Sequence, residues 1–374
     1  MSESADKLLF TPGPLTTSAT VKQAMMHDLG SRDAAFIAAV RRIRSGLLAV
    51  GRCEEPSYTA IPVQGSGTFG VEATLGTAIP RDGKLLVLVN GAYGTRMVQM
   101  AKILGIAVDS MEVDESHRID PVVVDARLAA DRSITHVAVV HCETSTGILN
   151  PVHAIGEVVN LHGRQYIVDA MSSFGGVPLS IPEAHIHYLV SSANKCIEGV
   201  PGFSFVIAHR ETLEATAGNA RSLTLDLLAQ VKALDASGQF RFTPPTHAML
   251  AFDQALKELE GEGGVAGRAA RYASNHRVLL DGMFSLGFRP YLPPEYQHHI
   301  ITSFYMPRHP SFHFEDFYSR LSDRGFVIYP GKVSKADCFR IGTIGRLFPV
   351  DIERLLAAIR EVLAGMGVPV PLMG

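Results

Sequence analysis

At 374 residues, 47% hydrophobic and 19% charged, the chain is long enough for one large globular domain or two ordinary ones, which excludes a disordered or fibrous class. A formal net charge of −3 and a pI near 6.6 leave no broad electrostatic footprint for nucleic acid or an anionic membrane surface, so small-molecule substrates are expected. The N-terminal MSESADKLLF lacks the basic region and apolar run of a leader, and no apolar stretch reaches membrane-spanning length, so the expected location is cytoplasmic.

In chain order, GSGT (65–68) opens the helix-like GVEATLGTAI. Continuously apolar runs then recur: KLLVLVN (84–90), ITHVAVVH (134–141), RQYIVDA (164–170), IHYLVSS (186–192) and FSFVIAH (203–209). Runs of this kind suit strands buried on both faces. GTRMVQMAKILG and PVHAIGEVVNLHG lie between them with helical spacing of apolar residues and a glycine at the expected C-cap. The alternation predicts an α/β sheet with helices on both sides. After about Gly261 the pattern changes. EGEGGVAGRAAR reads as a Gly-rich break before an amphipathic helix to about Leu286, the extended HHIITSFYM and FVIYPG, and a final helix, PVDIERLLAAIREVLAGMG. This predicts a smaller α+β domain.

Ligands of such sheets bind at the carboxyl ends of the strands, where GSGT, NGAYG, Asp169 and Lys195 fall. GSGT is either a phosphate cradle at a helix N-terminus or a plain turn into a helix. It matches neither the dinucleotide fingerprint nor a P-loop. Asp169 is either an N-cap before MSSFGG or a carboxylate held to pair with a cation. Lys195, in SSANKCIEGVPGFSF (191–205), either reaches solvent or has a task that offsets the several kcal/mol cost of an unpartnered buried ammonium. Together they form the set that pyridoxal phosphate requires: an amine for its aldehyde, a carboxylate for its pyridine nitrogen and a cradle for its phosphate, with Tyr93 as an aromatic for the ring face. Cys53, Cys142, Cys196 and Cys338 show no metal spacing and read as free thiols in a reducing compartment. His141, His153, His298 and His299 lack ligand spacing on a recognisable helix, so no metal is expected.

TPGPLTTS, QGSGTFGVEA, NGAYGTRM, HCETSTGILNP, VDAMSSFGG, SSANKCIEGVPG and YPGKVSKADCFRIGTIGR together resemble the class V aminotransferases of pyridoxal-phosphate fold type I, with similar spacing from about Leu9 to Leu363. The resemblance implies a large domain with a mostly parallel seven-stranded sheet flanked by helices, and a smaller α+β C-terminal domain. The expected division is a 1–20 segment that contributes to the active site, a cofactor-binding domain over 21–260 and a small domain over 261–374. It also implies a homodimer with its active site at the interface. The activity implied is transfer from an amino donor bearing an anionic group to pyruvate.

Carried over by position, Lys195 is the lysine that bonds the cofactor and Asp169 the partner of the ring nitrogen. Ser66, Gly67 and Thr68 match the phosphate turn, Tyr93 the stacking aromatic, Thr144 a hydroxyl near the ring oxygen, Met171 the opposite face and Asn194 the amide before the lysine. Thr243 matches a residue that reaches the partner subunit's cofactor phosphate. Arg340 matches the substrate-anion arginine, with a surface arginine as the alternative, and Gly13 lets the N-terminal segment approach the substrate. Arg32 is a second anion contact or a solvated helix-face residue, Cys196 reads as packing, and Glu198 is either solvent-facing or close enough to tune the site. Related enzymes acting on alanine, serine or glyoxylate, and lyases or desulfurases of the same fold, share the residues around Lys195 and Asp169. The alternative from another class is a non-catalytic α/β binding protein.

Overall fold

The computed structural model describes residues 6–333 and 335–372; positions 1–5, 334, 373 and 374 of the expected terminal domains lie outside the described residues. Its centre is a seven-stranded sheet in the order Tyr58–Gln64, Phe203–His209, Tyr188–Ser192, Gln165–Asp169, His136–Val140, Lys84–Val89 and Ala107–Glu112. Phe203–His209 runs antiparallel to both neighbours and the remaining pairings are parallel, which makes the sheet mostly parallel, as the family resemblance implies.

Burial on both faces explains the apolar runs. Leu86, Val137, Val168 and Phe205 point into one core, packed by Ala34–Val50, Val152–Leu161 and Thr246–Gly261. Leu85, Val87, Ile167 and Val190 alternate to the other face, beneath Gly67–Ala78 and Ala92–Ile103. The two edge strands lack this signature. Tyr58–Gln64 carries Pro62 opposite Phe205 at a free edge, where a missing N–H is tolerated. Ala107–Glu112 is only half covered, and its Asp109 and Ser110 break the apolar pattern.

The C-terminal part forms its own core. Ile301–Tyr305, Cys338–Gly342 and Tyr329–Pro330 make an antiparallel three-stranded sheet. Phe304, Phe339 and Ile341 pack there against Leu279, Leu355 and Ile359 of helices Gly264–Ser285 and Pro349–Gly365. Leu8–Leu9 pairs in parallel with Phe326–Val327 as a separate two-stranded sheet, and Phe10 joins this same core, so the N-terminal segment starts from the C-terminal part. The expected Gly-rich break is shorter than its composition suggests. Only Glu262 and Gly263 separate helix Thr246–Gly261 from the next, because Gly263 takes a left-handed φ of 93° and GVAGRAAR is already helical.

Glu198 is neither exposed nor in the cleft. Its side chain is 2% exposed and lies 2.7 Å from Arg271 and 3.4 Å from Arg268. Tyr272 Oη donates to it at 2.6 Å, and Arg268 Nη1 donates to the Cys196 carbonyl at 2.6 Å. The network clamps the turn after Lys195 onto helix Gly264–Ser285. Glu262 also pairs with Arg268 and Arg271, at 2.6 Å each, so losing Glu198 leaves two buried guanidiniums sharing one carboxylate, and Glu198→Ala is expected to lower stability by up to about 3 kcal/mol. Glu198→Gln, which keeps an acceptor, is expected to lose less; urea denaturation of the two variants checks the order.

Candidate active site

The strand ends that pointed to chemistry in the sequence converge on one cavity of about 220 Å³. Ser66, Gly67 and Thr68 enter from the turn into helix Gly67–Ala78, and Tyr93 from the first turn of Ala92–Ile103. Asp169 ends its strand, Met171 follows it, and Thr144, Asn194 and Lys195 complete the predicted lining. A Cβ on Gly67 would stand 2.2 Å from Met171 Sδ, so the turn and the methionine are packed as closely as glycine permits.

Lys195 Nζ donates to the Pro12 carbonyl at 2.7 Å and forms no ion pair among the described residues. It is partly accessible because it faces the cavity, yet the enclosing wall desolvates its ammonium. That desolvation lowers its pKa despite opposing contributions from Tyr93, Cys196 and Asp169. Gly13, at φ 122°, lies directly over the amine: a Cβ there would meet Nζ at 2.6 Å. The sequence placed Gly13 beside the substrate; the group it lies against here is Lys195.

Asp169 is 6% exposed and accepts from the Met171 amide at 2.9 Å, which makes it the anchor of a turn; no helix follows. Burial pushes its pKa up to about 6, against the lowering effects of the Met171 amide, Lys195 and Arg96. The carboxyl is therefore poised to become ionised when a cation takes the space beside it.

Positive charge collects around Tyr93. Arg96, one helical turn on, lies 5.0 Å from the ring centroid, and Lys332 Nζ lies 4.1 Å from it. Arg340, 3% exposed, donates to the Thr144 carbonyl at 2.8 Å and the Pro330 carbonyl at 2.9 Å. Burial raises the Tyr93 phenol, but a hydrogen bond with Thr144 and the charges of Lys332, Lys195 and Arg340 bring it below its ordinary value. The fully buried Glu143 is occupied behind this wall. It accepts from the amides of Tyr93 at 3.2 Å and Gly94 at 3.3 Å and from Ser145 Oγ at 3.0 Å. The site thus presents more cations than carboxylates to whatever enters it. Arg96, Glu143 and Lys332 were not assigned roles in the sequence, although each lies inside a quoted motif. Arg96 was accessible from its i, i+3 spacing to Tyr93.

Arg32 and Thr243 are not in this cavity. They line a separate surface groove with Arg241 and Phe242. Among the described residues no cluster of His, Cys, Asp or Glu is placed to hold a metal ion.

The chain belongs to the class-V aminotransferases: the family pattern Aminotransferase class-V matches residues 18–339. Within that family it is 52% identical over 362 residues to the 2-aminoethylphosphonate–pyruvate transaminase of Salmonella typhimurium, covering 96% of this chain and 98% of the relative. It is 54% identical over 361 residues to the enzyme of that name from Syntrophobacter fumaroxidans, covering 96% and 97%. In fold it superposes on the ureidoglycine–glyoxylate aminotransferase of Bacillus subtilis with a TM-score of 0.89 at 22% identity, covering 98% of this chain and 95% of that one. The cofactor is pyridoxal phosphate. The residues present fit it: a desolvated amine without an anionic partner, a buried carboxyl poised to ionise and a Ser-Gly-Thr turn at a helix start for its phosphate.

The gap between the ordinary 3.8 and about 6 makes ionised Asp169 a cost in the cofactor-free protein. A folded pKa raised above the unfolded one penalises folding as pH rises from about 4, reaching roughly 3 kcal/mol above about 6. Asp169→Asn is therefore expected to stabilise the cofactor-free protein more at about pH 8 than at about pH 4.5. Urea denaturation at both values checks this; equal effects at both would contradict it.

Proposed function

We propose that this enzyme transfers the amino group of 2-aminoethylphosphonate to pyruvate, giving phosphonoacetaldehyde and L-alanine. The observation that carries the reading is the 52–54% identity, over nearly the full length, to transaminases of that name. The cation-rich wall around Tyr93 supports it, because both substrates bring an anionic group.

When bound, pyridoxal phosphate supplies an aldehyde that exchanges between amines and a ring that accepts the electron pair of the adjacent C–H bond. Lys195 would hold the cofactor's aldehyde and, as a free amine, would take and return the proton of the carbon bearing the donor nitrogen; its lowered pKa favours the free amine this needs. Asp169 favours a proton on the ring nitrogen by offering a carboxylate in a desolvated place. Ser66, Gly67 and Thr68 hold the phosphate at a helix N-terminus. Tyr93 and Met171, with Thr144 and Asn194, line the same cavity and would hold the ring. Arg340 binds the substrate anion with its guanidinium fork, and Gly13 keeps the space above Lys195 open.

The molecule is a homodimer whose second copy brings Thr243 to the cofactor phosphate, while Arg32 of the same groove stays either a second substrate-anion contact or a solvated helix-face residue. Supporting this, Phe69 beside Thr68 is 51% exposed and Phe242 beside Thr243 is 42% exposed. The division into 1–20, 21–260 and 261–374 is supported by the separate cores of the two sheets. A cytoplasmic location is supported by four cysteines that are all free.

The holoenzyme incubated with single amines and no acceptor tests the donor: 2-aminoethylphosphonate is expected to convert the cofactor to its aminated form, and pyruvate to reverse the conversion. Conversion by serine with none by 2-aminoethylphosphonate would leave the class and remove the substrate. Lys195→Ala is expected to lose at least about 10²–10⁴-fold in turnover.

A further inference from the structure

The loop between Tyr329–Pro330 and Cys338–Gly342 brings two lysines to opposite fates. Lys335 is exposed and paired with Asp114, and its amide donates to Glu115 Oε1 at 3.3 Å. Lys332 is half-buried, turned inward over Tyr93, and has no carboxylate partner among the described residues. Its place is set by tight packing: a Cβ on Gly331 would stand 2.0 Å from the Cys338 carbonyl. Arg340 on the next strand pairs in register with Tyr329 and bonds the Pro330 carbonyl, two residues before Lys332. Both cations therefore meet one aromatic residue of the cavity, Lys332 over the Tyr93 ring and Arg340 by a hydrogen bond with its phenol.

One cation suffices for a carboxylate. A guanidinium fork matches its two oxygens and its single charge. A phosphonate has a third oxygen and, once its second proton is lost, a second negative charge. The fork leaves that oxygen and the additional charge unanswered. An ammonium, with three rotatable donors and a compact charge, suits the remainder.

We propose that Lys332 is a specificity-determining residue that joins Arg340 in binding the phosphonate and so favours phosphonate over carboxylate ligands. This rests on the donor assignment above and adds a residue to it. It assigns Lys332 to the substrate; a purely structural cation–π contact holding Tyr93 in place would affect both anions alike.

Calorimetric titration of the holoenzyme with ethylphosphonate and with propionate, which lack the reacting amine, separates the two roles. In Lys332→Met, ethylphosphonate is expected to bind about tenfold more weakly, equivalent to about 1.4 kcal/mol, and propionate to lose no more than about threefold. KM for 2-aminoethylphosphonate is expected to rise with a smaller change in kcat, and Lys332→Arg to recover most of the phosphonate affinity. Equal loss of both ligands, or loss of neither, would overturn the inference. Wild-type enzyme that turns over 2-aminoethylphosphonate while Lys332→Met keeps its phosphonate preference rejects Lys332 alone. Wild-type enzyme that does not accept 2-aminoethylphosphonate rejects the donor assignment, and Lys332 with it.

Discussion

The rest of the site depends on an amine held in a desolvated cavity with no carboxylate to pair with. Lys195 finds only the Pro12 carbonyl, while Asp169, the carboxyl among the groups that favour its charge, is itself pushed toward its neutral form. Arg96 lines the same cavity, and Lys332 and Arg340 add positive charge beside its Tyr93. Without a ligand this arrangement is costly, because like charges are gathered where water screens them poorly. With an anionic cofactor and anionic substrates the same charges become binding energy, and the amine is available as a nucleophile.

The scaffold keeps that arrangement in place by closing it from three directions. The parallel strands present Asp169 and Lys195 at one edge of the sheet. The N-terminal segment, anchored by Leu8–Leu9 to Phe326–Val327 of the C-terminal part, lays Pro12 and Gly13 over the lysine. The Glu198 network fixes the turn below it to helix Gly264–Ser285. The lysine is thus held between both cores, and no single element determines its position.

The sequence made the interior legible and the periphery less so. Runs such as KLLVLV and HVAVV announce strands because both faces are buried, whereas Tyr58–Gln64 hides behind Pro62 and Ala107–Glu112 behind its polar exposed side. Lys195, Asp169 and the Ser66–Thr68 turn were legible because position at a strand end is itself a signal. The settings of Glu198 and Lys332 were not, since each depends on partners distant in the chain: Arg268 and Arg271 for one, Tyr93 for the other. Arg32 and Thr243 share a groove away from Lys195, a relation that no local pattern encodes.

The measurement that bears most directly on this account is the titration of Lys195 itself in the cofactor-free protein, followed through the pH dependence of its acylation rate by mass spectrometry. The account predicts an amine that titrates below the ordinary lysine value of 10.5. An amine titrating at or above that value would mean that the cavity pairs its charge after all, and would contradict the account.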